Sequence, residues 1–143
     1  GLPPEKLVIE LSERFLMNNG QANTDRLEQV RALGVRLCID DVGTGATVLP
    51  RLSSYRMHVL KVDGSLLRGL VDDETAQKLV GGVLALGRAL GLTVAVEAVE
   101  EQAAIPILRS LGAQLAQGHV FSPPLPAAKL EPLQTRRSTI ARI

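Results

Sequence analysis

The stretch RLCIDDVGTG, residues 36–45, joins an apolar run to two adjacent carboxylates, Asp40 and Asp41, and then to a turn at Gly43, Thr44 and Gly45. Leu37, Cys38 and Ile39 are the residues of a strand covered on both faces, as in a parallel sheet. The carboxylate pair ends that strand. Like charges side by side repel, and the repulsion costs energy unless a cation or a chemical task uses it.

Working outward, one pattern recurs. A helical stretch ends in Leu-Gly, an apolar strand follows, and a polar residue closes it, in RALGVRLCIDD (31–41), RALGLTVAVEAVE (88–100) and RSLGAQLAQG (109–118). Gly34, Gly91 and Gly112 stand where a helix C-cap takes a left-handed residue. Two further strand-like runs behave alike: KLVIELSE (6–13) carries Glu10, and MHVLKVDG (57–64) carries Lys61 and Asp63. Helical stretches lie between. Residues 24–33 put Leu27, Val30 and Leu33 on one face, with Thr24 as N-cap. Residues 73–90 carry Leu79, Val80, Val83, Leu84, Leu86 and Leu90, with Asp72 or Asp73 near the start. Residues 102–111 form a shorter helix with Pro106 in its first turn or as a kink. SPPLP (122–126) reads as a loop, and residues 127–143 as a tail or terminal helix.

This alternation predicts an α/β fold with five parallel strands. Their C-terminal ends share one rim, where barrels and open α/β sheets place their active sites. Glu10, Asp40, Asp41, Lys61, Asp63, Glu97 and Gln117 would meet there. The 143 residues suffice for one domain, 45% are hydrophobic, and the net charge is +1. That balance argues against a nucleic-acid polymer or a membrane surface as partner. Two Phe, one Tyr and no Trp leave no stacking platform for single strands. The single Cys38 fits a reducing cytoplasm, and no apolar run spans a bilayer. The abrupt strand-like start gives the expectation that the chain is a piece of something longer.

Carboxylates with one lysine and one amide make a site for hard cations such as Mg²⁺ or Mn²⁺. His58 and His119 are isolated, which argues against zinc. Two divalent ions on such a rim suit phosphoester hydrolysis, with the lysine holding water or neutralising charge. Each residue also has a plain structural reading. Asp40 alone would be a solvated strand end, Lys61 a surface lysine, and Glu97 and Glu100 complements to a helix dipole. Glu13 would decorate a first turn, and Cys38 is a small core residue. The recurrence at five strand ends favours the site.

The runs VIELSERFL, LCIDDVGTGATVL, HVLKVDGSLL, TVAVEAVEE and AQGHVFSPPLP, within residues 7–126, resemble in order the later motifs of the EAL domain, a bacterial family of cyclic di-GMP phosphodiesterases. The resemblance implies a (β/α)8 TIM-type barrel that linearises cyclic di-GMP to pGpG with Mg²⁺ or Mn²⁺, two ions in a complete domain. It implies metal ligation by Glu10, Asp40 and Asp41. Lys61 would position the attacking water, supported by Asp63. Glu97 would be a further ligand or metal-water contact, Glu100 a supporting carboxylate, and Gln117 a contact of the catalytic centre. Glu13 would brace the Gly43-Thr44-Gly45 loop, which in the family couples substrate, metal and dimerisation.

There are departures. Val42 stands where the family has Phe, Ala46-Thr47-Val48 replace an aromatic and serines, and Ala98 replaces a glycine. The motif that names the family and the Asn-bearing strand before VIEL are absent. A (β/α) barrel takes about 250 residues, so residues 1–143 are expected to be its C-terminal part, about five strand–helix units. Open strand edges would then favour self-association or pairing with the rest of the barrel. Two other readings stand beside the enzyme. One is a degenerate module that binds cyclic di-GMP or a protein without cleaving. The other is an unrelated receiver-like open sheet.

Overall fold

A computed structural model of the chain describes residues 3–18, 21–44, 52, 55–126, 129 and 140–143. Gly45 and the substituted Ala46-Thr47-Val48 lie outside them. Among the described residues one sheet runs β1 (Val8–Ser12), β2 (Arg36–Val42), β3 (Val59–Val62), β4 (Thr93–Val96), β5 (Leu115–Gln117) and β6 (Ile140–Arg142), hydrogen-bonded in that order. The first five strands are mutually parallel. The helices are α1 (Glu13–Asn18), α2 (Gln21–Ala32), α3 (Glu74–Ala89) and α4 (Ala104–Ser110).

Strand order equal to chain order decides the architecture. Every crossover steps the same way and has the same hand, so the helices fall on one face and the sheet forms a barrel wall. A receiver-like sheet reverses its strand order partway across, and this order rules that reading out. The α/β class and the five parallel strands follow the sequence expectation.

Strand alternation splits the side chains between two faces. Leu37, Ile39, Leu60, Val62, Val94 and Val96 point to the helix side and are buried in the main core, together with Val80 and Leu84 of α3. Each contributes about 1.5–3 kcal/mol by leaving water. Gly87 lets α3 approach closely, since a Cβ there would press on Val94 and Leu60. The opposite face carries a smaller cluster of Cys38, Val59 and Ala95 with Leu115 beside it. On this inner face, nearer the strand ends, stand the polar residues.

Several local expectations change. Helix α2 starts at Gln21, so Thr24 lies inside it and is not its N-cap. Ser12 caps α1 instead, its Oγ accepting from Phe15 N–H at 3.2 Å. Asp73, not Asp72, caps α3 by accepting from Thr75 N–H at 2.7 Å. Leu79 on α3 is 54% exposed, off the buried face. Gly34, Gly91 and Gly112 have φ of 87°, 74° and 87°, the left-handed C-caps that the Leu-Gly pattern predicted. The tail was expected to be irregular or helical, yet Ile140–Arg142 pairs antiparallel with β5 and covers that edge of the sheet. At the other edge β1 pairs only with β2 among the described residues, and Leu7 and Val8 there are exposed.

His58 ties β2 to β3: its Nδ1 accepts from Leu37 N–H at 3.1 Å. Burial and the nearby Arg36 and Arg31 guanidinium groups lower its pKa from 6.5. The unfolded histidine therefore takes a proton near that pH while the folded one refuses it. This contribution is complete above pH 6.5 and lost as pH falls through the lower folded value. Urea unfolding should show wild type losing more stability than His58→Ala between pH 7.5 and 5.5. Equal losses would remove His58 from the account.

Candidate metal and catalytic centre

Lys61 is the fixed point of the rim. It is 7% exposed at the end of β3. Its Nζ lies 3.0 Å from Glu10 Oε2, 3.2 Å from Asp40 Oδ1 and 3.2 Å from Glu97 Oε2. The strand register explains the meeting. Ser12 pairs with Asp40, Ile39 with Leu60, and Lys61 with Ala95. Residues 10, 40, 61 and 97 therefore belong to the same face of neighbouring strands.

Adjacent strand residues normally point to opposite faces, so Asp40 and Asp41 should diverge. A register shift between Ile39 and Val42 prevents this, because three steps on β2 match two on β3. Asp41 takes the extra position with φ of 59°, a left-handed conformation that Asp tolerates better than most residues. The bulge turns both carboxylates inward. Asp40, Asp41 and Glu97 each offer an oxygen within 4.8 Å of the other two. The following turn closes on Asp41, whose carbonyl accepts from Thr44 N–H at 3.3 Å and from Thr44 Oγ1 at 3.0 Å.

The electrostatics are unbalanced. Burial opposes the Lys61 charge, but the Glu10 hydrogen bond, Asp40 and Glu97 outweigh it and raise the pKa, so the ammonium is kept. Burial raises the Glu97 pKa, Lys61 opposes this, and Asp40 and Asp41 push it further up. Burial and Glu10 push the Cys38 thiol up to about 12, so it is a packed core residue rather than a nucleophile. Asp40 Oδ1 is buried and accepts no hydrogen bond, although Lys61 Nζ is near. An oxygen with unused lone pairs beside two more carboxylates is the donor set that a hard divalent cation takes.

The remaining expected residues are distributed as follows. Glu10 reaches the centre through Lys61 and is not one of the three converging carboxylates. Asp63 does not pair with Lys61; it accepts from Ser65 N–H at 2.9 Å and caps the short 3-10 turn Gly64–Leu67, which lowers its pKa. The chain leaves β3 at Asp63, so the two-residue spacing from Lys61 no longer keeps both on one face. Glu13 is buried at the start of α1. Glu100 is exposed and lines a cavity of about 160 Å³ with Arg68 and Glu101, beside the centre rather than in it. Gln117 ends β5, half-buried, one rung beyond the pairing of Val96 with Ala116. His119 is exposed.

The braces around Glu97 had no sequence signal. Glu97 N–H donates to Val62 O at 3.1 Å and Val99 N–H to Gln117 O at 3.0 Å, tying the loop after β4 to both neighbouring strand ends. A Cβ on Gly64 would overlap the Ala98 methyl, and one on Gly118 would overlap the Val99 backbone. Ala98 itself has φ of 52°.

Fold and site together define a segment of a (β/α) barrel with a carboxylate–lysine centre on its C-terminal rim. The EAL domain family model matches residues 1–124. The chain belongs to the EAL domain family. A cyclic di-GMP phosphodiesterase of Pseudomonas aeruginosa, NbdA, is 37% identical over 131 residues, 92% of this chain and 17% of that protein. The solved EAL domain of Mycobacterium smegmatis DcpA superposes with a TM-score of 0.88 at 30% identity, over all of this chain and 62% of that one. The manganese and cyclic di-GMP complex of Klebsiella pneumoniae BlrP1 gives 0.80 at 34% identity, over 87% of this chain and 32% of that one. The chain thus spans about a sixth of NbdA and part of each solved chain.

The left-handed alanine gives a direct test. Such a conformation costs a non-glycine residue about 1 kcal/mol, partly offset by glycine's extra unfolded-state freedom. Ala98→Gly should leave stability unchanged or raise it by up to about 1 kcal/mol, while Gly118→Ala should lose about 2 kcal/mol or more. Denaturant titration measures both. A stabilised Gly118→Ala would contradict the close packing of the loop.

Proposed function

We propose that this chain supplies the metal- and water-handling part of a cyclic di-GMP phosphodiesterase that opens the cyclic dinucleotide to pGpG. The observation that carries the reading is the convergence of Asp40, Asp41 and Glu97 beside a charged, buried Lys61. The ions of the reading are Mg²⁺ or Mn²⁺, two in a complete barrel, and the solved BlrP1 complex with manganese supports a divalent ion. A bound divalent cation supplies Lewis-acid stabilisation of a phosphoryl oxygen and an acidified water.

The residues of the chain do the rest. Asp40, Asp41 and Glu97 would hold the ion, and Glu10 would add charge from behind Lys61. Hydrolysis joins a water oxygen to phosphorus and breaks the bond to one ribose oxygen, which leaves with a proton. Lys61 stays protonated, so it serves as hydrogen-bond donor to the attacking water and as counter-charge for the phosphoryl oxygens, not as a base. Glu97, one of the three converging carboxylates, would hold the ion or contact the attacking water. Gln117 borders the centre as a second donor. Glu13 and the Gly43–Thr44 turn hold the loop behind Asp41, and Asp63 and Glu100 support the neighbouring loops.

In the same reading residues 1–143 form the C-terminal part of an EAL barrel. The rest of the wall would pair with the β1 edge, covalently or from a second copy. The 62% coverage of the DcpA domain supports this. Among the described residues no helix is long and apolar enough to cross a membrane. A cytoplasmic setting is part of the proposal, in keeping with a single cysteine, Cys38, and so no internal disulfide.

Incubation with cyclic di-GMP and Mn²⁺, followed by chromatography, should yield the linear dinucleotide. Asp40→Asn or excess chelator should cut the rate by roughly 100-fold or more. Nucleotide retained but uncleaved would favour the binding module instead, for which the strained Ala98 beside Glu97 is the supporting observation.

A further inference from the structure

We infer that Lys61 acts as an internal cation that holds the carboxylate centre together without metal and competes with a divalent ion for the same oxygens. The inference rests on the divalent-cation reading above.

Three observations carry it. Lys61 Nζ is within 3.2 Å of Asp40 Oδ1 and of Glu97 Oε2, and these residues are two of the three that converge as a ligand group. Asp40 and Glu97 therefore serve both cations. The ammonium is almost fully buried and its third partner, Glu10, lies outside that group. Glu10 thus anchors the lysine where it can reach Asp40 and Glu97. Lastly, Asp40 Oδ1 is close to the ammonium but makes no hydrogen bond with it. The lysine neutralises this oxygen without saturating it and leaves it open to a second cation.

Removing the ammonium has two opposite consequences. Without metal, the half-buried carboxylates of Asp40 and Glu97 lose their counter-charge, their mutual repulsion is no longer offset, and the fold is weakened. With metal, a positive charge that repels the incoming ion has gone. A lysine that only positions water would give neither a metal-dependent stability nor a tighter ion.

The test compares wild type, Lys61→Met, Lys61→Arg and Asp40→Asn, all as the 143-residue chain. Mn²⁺ affinity is read by electron paramagnetic resonance of the free ion, and thermal stability is read in EDTA and in Mn²⁺. Lys61→Met should melt well below wild type in EDTA, recover with Mn²⁺, and bind Mn²⁺ roughly tenfold tighter or more. If it is unfolded in EDTA, Mn²⁺ should restore a cooperative melt. Lys61→Arg, which keeps the charge, should stay near wild type in affinity. Equal Mn²⁺ affinity in wild type and Lys61→Met overturns the inference while leaving the metal reading intact. A Lys61→Met chain that stays unfolded in Mn²⁺ also overturns it. Absence of Mn²⁺ binding in every variant, with no difference at Asp40→Asn, overturns both.

Discussion

One buried ammonium held among three carboxylates is the constraint on which the rest of the rim depends. Lys61 sits at the end of β3, in the middle of the five parallel strands, and contacts residues from β1, β2 and the loop after β4. Charges so poor in water survive burial only when paired. The pairs form only if four chain segments end at the same height. The sequential parallel order of the sheet supplies that height, and the apolar core on the helix side fixes the register. Fold stability and site geometry are thus coupled through the same strands.

Regular strands alone would not build this centre. Alternation sends Asp41 away from Asp40, and a strand continued past Val96 would carry the chain off the rim. Two left-handed residues, Asp41 and Ala98, correct both. The first makes the bulge that gathers the carboxylate pair. The second turns the chain directly after Glu97, in contact with Gly64. Such conformations are unfavourable for residues with a Cβ. They persist because hydrogen bonds from Glu97 and Val99 to the adjacent strand ends hold the loop in place. The energetic cost of the site is met by the sheet beside it.

Much of this was legible in the sequence. The Leu-Gly pattern marked three helix ends, because a left-handed C-cap strongly favours glycine, and all three have positive φ. Apolar runs closed by polar residues marked the strands, and the shared C-terminal rim of parallel strands gathered Glu10, Asp40, Lys61 and Glu97. The unread parts were those without a period. The bulge at Asp41 is a one-residue slip between strands, visible only when β2 and β3 are paired. The resemblance made Asp63 a support of Lys61, but the strand ends there and the side chain caps a turn. Thr24 had the chemistry of an N-cap, yet the helix begins earlier. The short strand at Ile140–Arg142 follows a basic, proline-flanked tail whose composition gives no strand signal, and it forms by pairing with an edge distant in sequence.

The central claim is that Asp40, Asp41 and Glu97 make one cation site shared with Lys61. The most direct test is anomalous scattering from manganese in crystals of the chain. The account expects an ion peak among these three carboxylates, bonded to the Asp40 oxygen that now accepts no hydrogen bond. It also expects Lys61 Nζ to be drawn back toward Glu10. Manganese bound elsewhere, or no peak while Lys61 keeps all three contacts, would contradict it.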